Sequence, residues 1–344
     1  MSQLDTLWYT RCPVPTPLGI ASQLGWIETE FARDGIHVRT LQDTNDPNLR
    51  ESHFDHRLDN SFRQGGNIPA IWARSQGRDT KLIGLTWTNE AQVILVRGDS
   101  PLQRVSDLRG KRLGVRTNPQ GLIDFWRATT IRAYVAALGV EGLSERDVSL
   151  VDFAQNQQSG SQRGWSAGEP EKSPEVVALL EGRVDAIFHK GSRGLELADS
   201  IGARVLYDVN THPDPKVRVN NGSPRTFTVD AGLLERHPDV VTRLAKQVLL
   251  AGSWAEQNRK EAVEYVAKET FSSVDAVERA YGRNVNHALK TDLEPSSIAA
   301  LSDFKDFLHA WKFIPNDFDV NSWIDARPLN AAIEQIRRES AIAV

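Results

Sequence analysis

Three groups of residues have the types and spacing to do chemistry. Cys12 is the only cysteine in 344 residues, so it has no disulfide partner and no place in a cysteine-rich metal site; packing or reactivity is what remains for it. His53 carries an imidazole that titrates near neutral pH and could exchange a proton with such a thiol. Arg63 offers a planar guanidinium fork suited to two oxyanion oxygens, and Gly65-Gly66, just before Asn67, would let backbone N–H groups come close to an anion. Each also has an ordinary reading. The cysteine could be a small buried hydrophobe, the histidine structural, the arginine a solvated charge, and the glycines plain turn chemistry.

The elements that must position these groups alternate between strand and helix. Leu4 to Tyr9 reads as a buried strand, and Thr16-Pro17 as a helix start with a hydroxyl cap and proline at the first helical position. Cys12 therefore lies in a strand-to-helix turn, where helix-start N–H groups and Arg11 would favour a thiolate. A helix over 17–33 and a strand over 35–41 complete a βαβ unit. A polar stretch over 42–60 follows, in which Asp55 and Asp59 read as a solvated face. Next come a helix from Asn67 to Ser75 and strands over 81–87 and 92–97. The alternation continues with Trp126–Leu138 helical, Val148–Phe153 a strand, Ser173–Glu181 helical, and strands at Val184–Phe188 and Ala203–Val209. Residues 155–172 form a Gln/Ser/Gly-rich stretch that could act as a lid. Beyond Thr226–Val229 the chain is mainly helical.

Composition narrows the function. A net charge of -4 with both signs dispersed argues against nucleic-acid or membrane partners, and no run approaches the roughly 18 apolar residues of a membrane span. The first strand starts almost at once, with no basic segment and apolar core before it, so a cytoplasmic location is expected. The sequence has no metal-type His/Cys cluster, no GxGxxG and no P-loop, so no metal and no cofactor is expected.

A strand, then Ser106-Asp107-Leu108-Arg109-Gly110-Lys111-Arg112-Leu113-Gly114-Val115, a late Gly182-Arg183-Val184-Asp185-Ala186-Ile187 strand, and Leu233-Leu234-Glu235-Arg236-His237-Pro238-Asp239-Val240-Val241 before a long helix resemble a type II periplasmic-binding-protein fold. The resemblance implies two α/β lobes with a ligand cleft between them, divided as a discontinuous lobe I (1–97 plus 230–344) and a lobe II (98–229). Tyr9-Thr10-Arg11-Cys12-Pro13-Val14-Pro15, His53-Phe54 with Arg63-Gln64-Gly65-Gly66-Asn67-Ile68-Pro69, and Leu82-Ile83-Gly84-Leu85 with Arg97-Gly98-Asp99-Ser100-Pro101 resemble, more sharply, the 2'-hydroxybiphenyl-2-sulfinate desulfinase family.

That resemblance implies a hydrolase that cleaves the carbon–sulfur bond of an organic, aromatic sulfinate and releases sulfite. Cys12 would be nucleophile or acid, with His53 and Arg63 as the other catalytic residues. Gly65, Gly66, Phe54, Trp126 and His189 would contact substrate, Trp126 standing where the family places a tryptophan against the aromatic group. The segment His189-Lys190-Gly191-Ser192-Arg193 replaces an apolar, tryptophan-containing stretch of the family, which points to a more polar or additionally anionic substrate. The expected partner is a small organic sulfinate or sulfonate-like anion, and the chain is expected to act as a monomer. The alternative is a non-catalytic binding protein for a sulfonate or similar anion. A third branch of the fold, working on pyrimidine or other precursors, resembles proteins with a cysteine-rich motif that this chain lacks.

Overall fold

The computed structural model describes residues 4–155 and 170–342; all but the ends of the expected 155–172 lid lies outside the described residues. In chain order the elements that matter here are β1 (Thr6–Arg11), α1 (Pro17–Gln23), α2 (Trp26–Ala32), β2 (His37–Thr40), α3 (Pro47–Asp55), β3 (Ser61–Gly65), α4 (Asn67–Ser75), β4 (Thr80–Thr86), β5 (Gln92–Arg97), β6 (Arg112–Thr117), α5 (Phe125–Val140), β7 (Ser149–Ala154), α6 (Pro174–Leu180), β8 (Ala186–Lys190), α7 (Gly191–Ser200), β9 (Ala203–Asp208) and β10 (Arg225–Asp230). A mainly helical stretch follows, its longest member Pro238–Gln257. Among the described residues no helix is long and apolar enough to cross a membrane.

The chain divides into two α/β units, each built on a five-stranded mixed sheet. The first unit comprises residues 1–88, 221–269 and 284–344, and the second 89–220 and 270–283. These bounds differ from the expected division at 97/98 and 229/230, and hydrogen bonding explains the difference. β5 pairs with β8 and β9 and so belongs to the second sheet, whereas β10 pairs with β3 and β4 and belongs to the first. Residues 270–283 return to the second unit because the helix Val274–Tyr281 packs on α7.

In the first sheet the strand order is β2-β1-β3-β10-β4. β1 runs parallel to β2 and β3, while β10 is antiparallel to β3 and β4. The register sets Thr10 beside Arg63 and Arg63 beside Thr228, so these three side chains form a row on one face. The neighbouring row on the other face is aromatic: Tyr9 stacks on Phe62 at 5.6 Å between ring centroids, and Phe227 meets Phe62 edge-on at 6.4 Å. The second sheet has the order β7-β6-β8-β5-β9.

Two local features depart from the sequence reading. The helix expected over 17–33 is two helices, because Gly25 adopts a left-handed conformation (φ 69°) between them. The polar stretch over 42–60 contains α3, started by Asp46, whose side chain accepts from Asn48 N–H, and by Pro47 at the first helical position. Asp55 at its end is buried and bonded to Arg57, so it is not part of a solvated face; Asp59 is exposed.

Phe227, fully buried in β10, is the end of this aromatic row and packs on Phe62. Phe227→Ala is expected to lower the unfolding free energy by about 3–5 kcal/mol, read from urea denaturation; a loss below about 1 kcal/mol would show that this row does not anchor the sheet.

Candidate functional site

The site lies where β1 and β3 end, side by side in the first unit. Cys12 follows β1 directly, and its N–H donates to the Gln64 carbonyl at 3.3 Å. Thr10 and Cys12, two residues apart on extended chain, both reach His53 on α3: Thr10 Oγ1 lies 2.8 Å from His53 Nδ1, and Cys12 Sγ lies 3.5 Å from His53 Nε2. Phe54 sits edge-on to the imidazole, 5.0 Å between centroids.

Arg63 closes the constellation from β3. It is 2 % exposed, yet among the described residues no carboxylate pairs with it. Its Nε donates to the His53 carbonyl (3.2 Å), Nη1 to the Gly66 carbonyl (2.8 Å) and Nη2 to Cys12 Sγ (3.1 Å). These bonds occupy three of the five N–H donors of a guanidinium. Burial pulls the Arg63 guanidinium below its ordinary value, and the charge of Cys12 opposes that shift. The arrangement suits a sulfur anion or a small oxyanion, because a desolvated cation without a carboxylate gains most from such a partner.

The structure corrects the supporting parts of the expected anion seat. The α1 amides that would favour a thiolate are already bonded: Gly19 N–H to the Thr16 hydroxyl (3.0 Å) and Leu18 N–H to Gln64 Oε1 (2.8 Å). At α4, Asn67 N–H donates to the Asn221 carbonyl (2.9 Å) and Ile68 N–H to Asn221 Oδ1 (3.0 Å). Arg11 turns to Glu269, Nε to Oε1 at 2.8 Å. Both glycines also make room for close neighbours. A Cβ on Gly65 would stand 2.4 Å from Cys12 Sγ, and one on Gly66 would stand 2.7 Å from Asn221 Oδ1. Thr10, Gln64 and Asn221 are the site-building residues that the sequence reading did not single out. For Thr10 the alternation of side chains along β1 was the available signal.

Trp126 and His189 belong to a cluster in the second unit. The Arg116 guanidinium covers the Trp126 ring at 3.9 Å, and Arg116 Nε and His189 Nε2 lie 4.0 and 3.7 Å from Oε1 of the buried Glu175. Lys190 pairs with Glu90 at 3.0 Å. Two buried acids thus stand beside His189 and Lys190 of the basic segment. Among the described residues no group of three or more His, Cys, Asp or Glu side chains is placed to hold a metal ion.

No family model matches the chain. In sequence it is 26% identical to the 2'-hydroxybiphenyl-2-sulfinate desulfinase of Rhodococcus erythropolis, over 97% of this chain and 95% of that one. The chain is a distant homologue of that desulfinase. It is also 26% identical to a Bacillus subtilis (strain 168) protein assigned to aliphatic sulfonate binding, over 93% of this chain and 86% of that one. In fold it matches a cysteine-to-serine variant of the desulfurization enzyme solved with biphenyl-2-sulfinic acid (TM-score 0.76, 24% identity, covering 97% and 100% of the two chains). The periplasmic aliphatic sulphonate-binding protein of Escherichia coli shares the fold (TM-score 0.66, 16% identity, covering 94% and 92%). The architecture is that of the type II periplasmic binding proteins.

Burial, then the Arg63 charge, then His56 hold the His53 imidazole well below its ordinary value near 6.5. Burial, Arg116 and Arg193 push His189 down to about 3. As pH falls through 6.5 the unfolded chain protonates these rings while the folded chain does not, so acid favours unfolding. Their contribution is fully present above pH 6.5 and shrinks below it by roughly 1.4 kcal/mol per pH unit for each ring. The urea midpoint is expected to drop between pH 7 and pH 5, and His189→Phe to flatten that slope. An unchanged slope in the variant would mean that His189 is protonated in the folded protein.

Proposed function

We propose that this protein is a desulfinase-like hydrolase that cleaves the carbon–sulfur bond of an organic sulfinate and releases sulfite, with Cys12 at the reacting centre. The observation that carries the reading is the Cys12 sulfur set between His53 Nε2 at 3.5 Å and the buried Arg63 Nη2 at 3.1 Å. A protein that only holds an anion has no need of a thiol in that place. The homology to the Rhodococcus desulfinase, and the sulfinic acid bound by the cysteine-to-serine variant of the desulfurization enzyme, support it.

The overall reaction adds water across the bond: the sulfinate carbon gains a proton and sulfur leaves as hydrogen sulfite. Two routes balance. The Cys12 thiolate can attack sulfur, expelling a carbanion that takes a proton and leaving a thiosulfonate-like cysteinyl S-sulfinate (Cys–S–SO2−), which water hydrolyses to thiol and hydrogen sulfite. Or the thiol can protonate the carbon bearing sulfur, releasing sulfur dioxide, which water converts to hydrogen sulfite as the thiolate regains its proton. In both, Cys12 cycles between thiol and thiolate beside His53. Arg63 then has two roles: donating to the sulfur anion, and offering its remaining N–H groups to the sulfinate oxygens.

The relationship to a sulfonate-binding protein favours a second reading, stoichiometric anion capture without turnover. Sulfite detection on a panel of aryl and alkyl sulfinates separates them. Wild type is expected to turn over, and Cys12→Ser to lose at least about 1000-fold in rate while still binding. Arg63→Ala should cost about 100-fold or more, against little for Arg236→Ala, a half-exposed arginine that donates to Asn60. Tight binding with no sulfite from any sulfinate would establish the carrier instead, and full turnover by Cys12→Ser would remove the thiol from the mechanism.

A further inference from the structure

Beside Arg63 the first unit has a small, partly open cavity lined by Thr10, Ser52, His56, Arg63 and Thr228, with apolar residues such as Leu41 making up the rest. The space open to the centre of a water molecule is about 10 Å³, room for about one. Three of its lining residues carry buried polar atoms with no hydrogen-bond partner among the described residues: Ser52 Oγ, His56 Nε2 and Thr228 Oγ1. Two to four polar partners are what an internal water takes, and leaving such atoms unbonded costs roughly 1–3 kcal/mol each.

We propose that this cavity holds one ordered water that joins Thr10 to His56, completing a proton relay from Cys12 through His53 and Thr10. The relay rests on the reading of Cys12 as the reacting thiol. Its first links are Cys12 Sγ to His53 Nε2 at 3.5 Å, and His53 Nδ1 to Thr10 Oγ1 at 2.8 Å. Thr10 lines the cavity on whose wall His56 stands.

The need for a relay follows from charge. His53 is buried against Arg63, with His56 near by, so an imidazolium there is strongly disfavoured. A base in that position works by exchanging tautomers. Nε2 takes the proton of the breaking S–H bond as Nδ1 gives its own to the Thr10 oxygen. The Thr10 hydroxyl, donor and acceptor at once, passes its former proton to the water, and the water passes one to His56 Nε2. His56 stays neutral by passing its Nδ1 proton on to solvent in the same step, because burial, Arg63 and Arg78 all disfavour its charged form. No charge then rests on either ring, and the net result is a thiolate beside Arg63 with one proton delivered to water.

The single cysteine gives a readout independent of any sulfinate: the rate of Cys12 alkylation by iodoacetamide. Thr10→Val, isosteric but without the hydroxyl, and His56→Asn, which tolerates the left-handed backbone at that position (φ 53°), are expected to slow alkylation and sulfite release at least tenfold and to reduce the solvent deuterium isotope effect on turnover. Thr10→Ser should restore both rates to within threefold. Unchanged alkylation in Thr10→Val and His56→Asn would overturn the relay. So would a high-resolution crystal structure with no water within hydrogen-bond reach of Ser52 Oγ and His56 Nε2. If Thr10→Val fails to fold, Ser52→Ala with Thr228→Val tests the same water and should slow alkylation. Absence of sulfite release by wild type, with the alkylation pattern intact, would count against the desulfinase reading and leave the relay standing.

Discussion

A guanidinium taken out of water with no carboxylate partner among the described residues is the constraint on which the rest of this site depends. Arg63 reaches its buried position because it sits mid-sheet on β3, in register with Thr10 and Thr228. Two backbone carbonyls and the Cys12 sulfur accept its hydrogen bonds. Backbone carbonyls orient a cation but neutralise little of its charge, so the energy of the site falls when an anion arrives. The thiolate of Cys12 and the oxygens of a sulfinate are both anions of the right size. Burial, with the same charge beside it, keeps His53 neutral, and that in turn decides how a proton can move.

Close approach is the second constraint. The sulfur reaches Arg63 and His53 only because position 65 has no side chain, since any Cβ there would occupy the space of Cys12 Sγ. Gln64, between Arg63 and Gly65, points to the opposite side of the strand. It accepts from Leu18 N–H at the start of α1 and donates to Thr86 at 3.1 Å and Thr291 at 3.3 Å. Three consecutive residues of β3 thus hold the cation, brace the helix after the cysteine, and leave room for the thiol. The glycine pair is a packing device on which the chemistry depends.

Much of this was legible in the sequence, and the failures have physical causes. β1, β5 and α4 follow from buried runs, alternation and cap residues, which are local signals. The helix carrying His53 was hidden because Pro47–Asp55 has almost no apolar face; only Asp46 as cap and Pro47 at the first helical position marked it. The motif residues Cys12, His53, Arg63, Gly65 and Gly66 do come together in one place. The partners of the α4 amides and of the Arg11 guanidinium do not show in the sequence, because Asn221 and Glu269 lie more than 150 positions away along the chain. The division of the chain failed for the same reason: whether β5 or β10 joins a sheet is decided by strand pairing across long separations, not by composition.

The central claim, that Arg63 and Cys12 together receive a sulfur oxyanion, is tested most directly by a crystal structure of the Cys12→Ser variant soaked with biphenyl-2-sulfinate. Sulfinate oxygens are expected within hydrogen-bond distance of Arg63, with sulfur facing the serine hydroxyl and His53. A sulfinate bound with its oxygens away from Arg63, or bound only within the second unit, would contradict it.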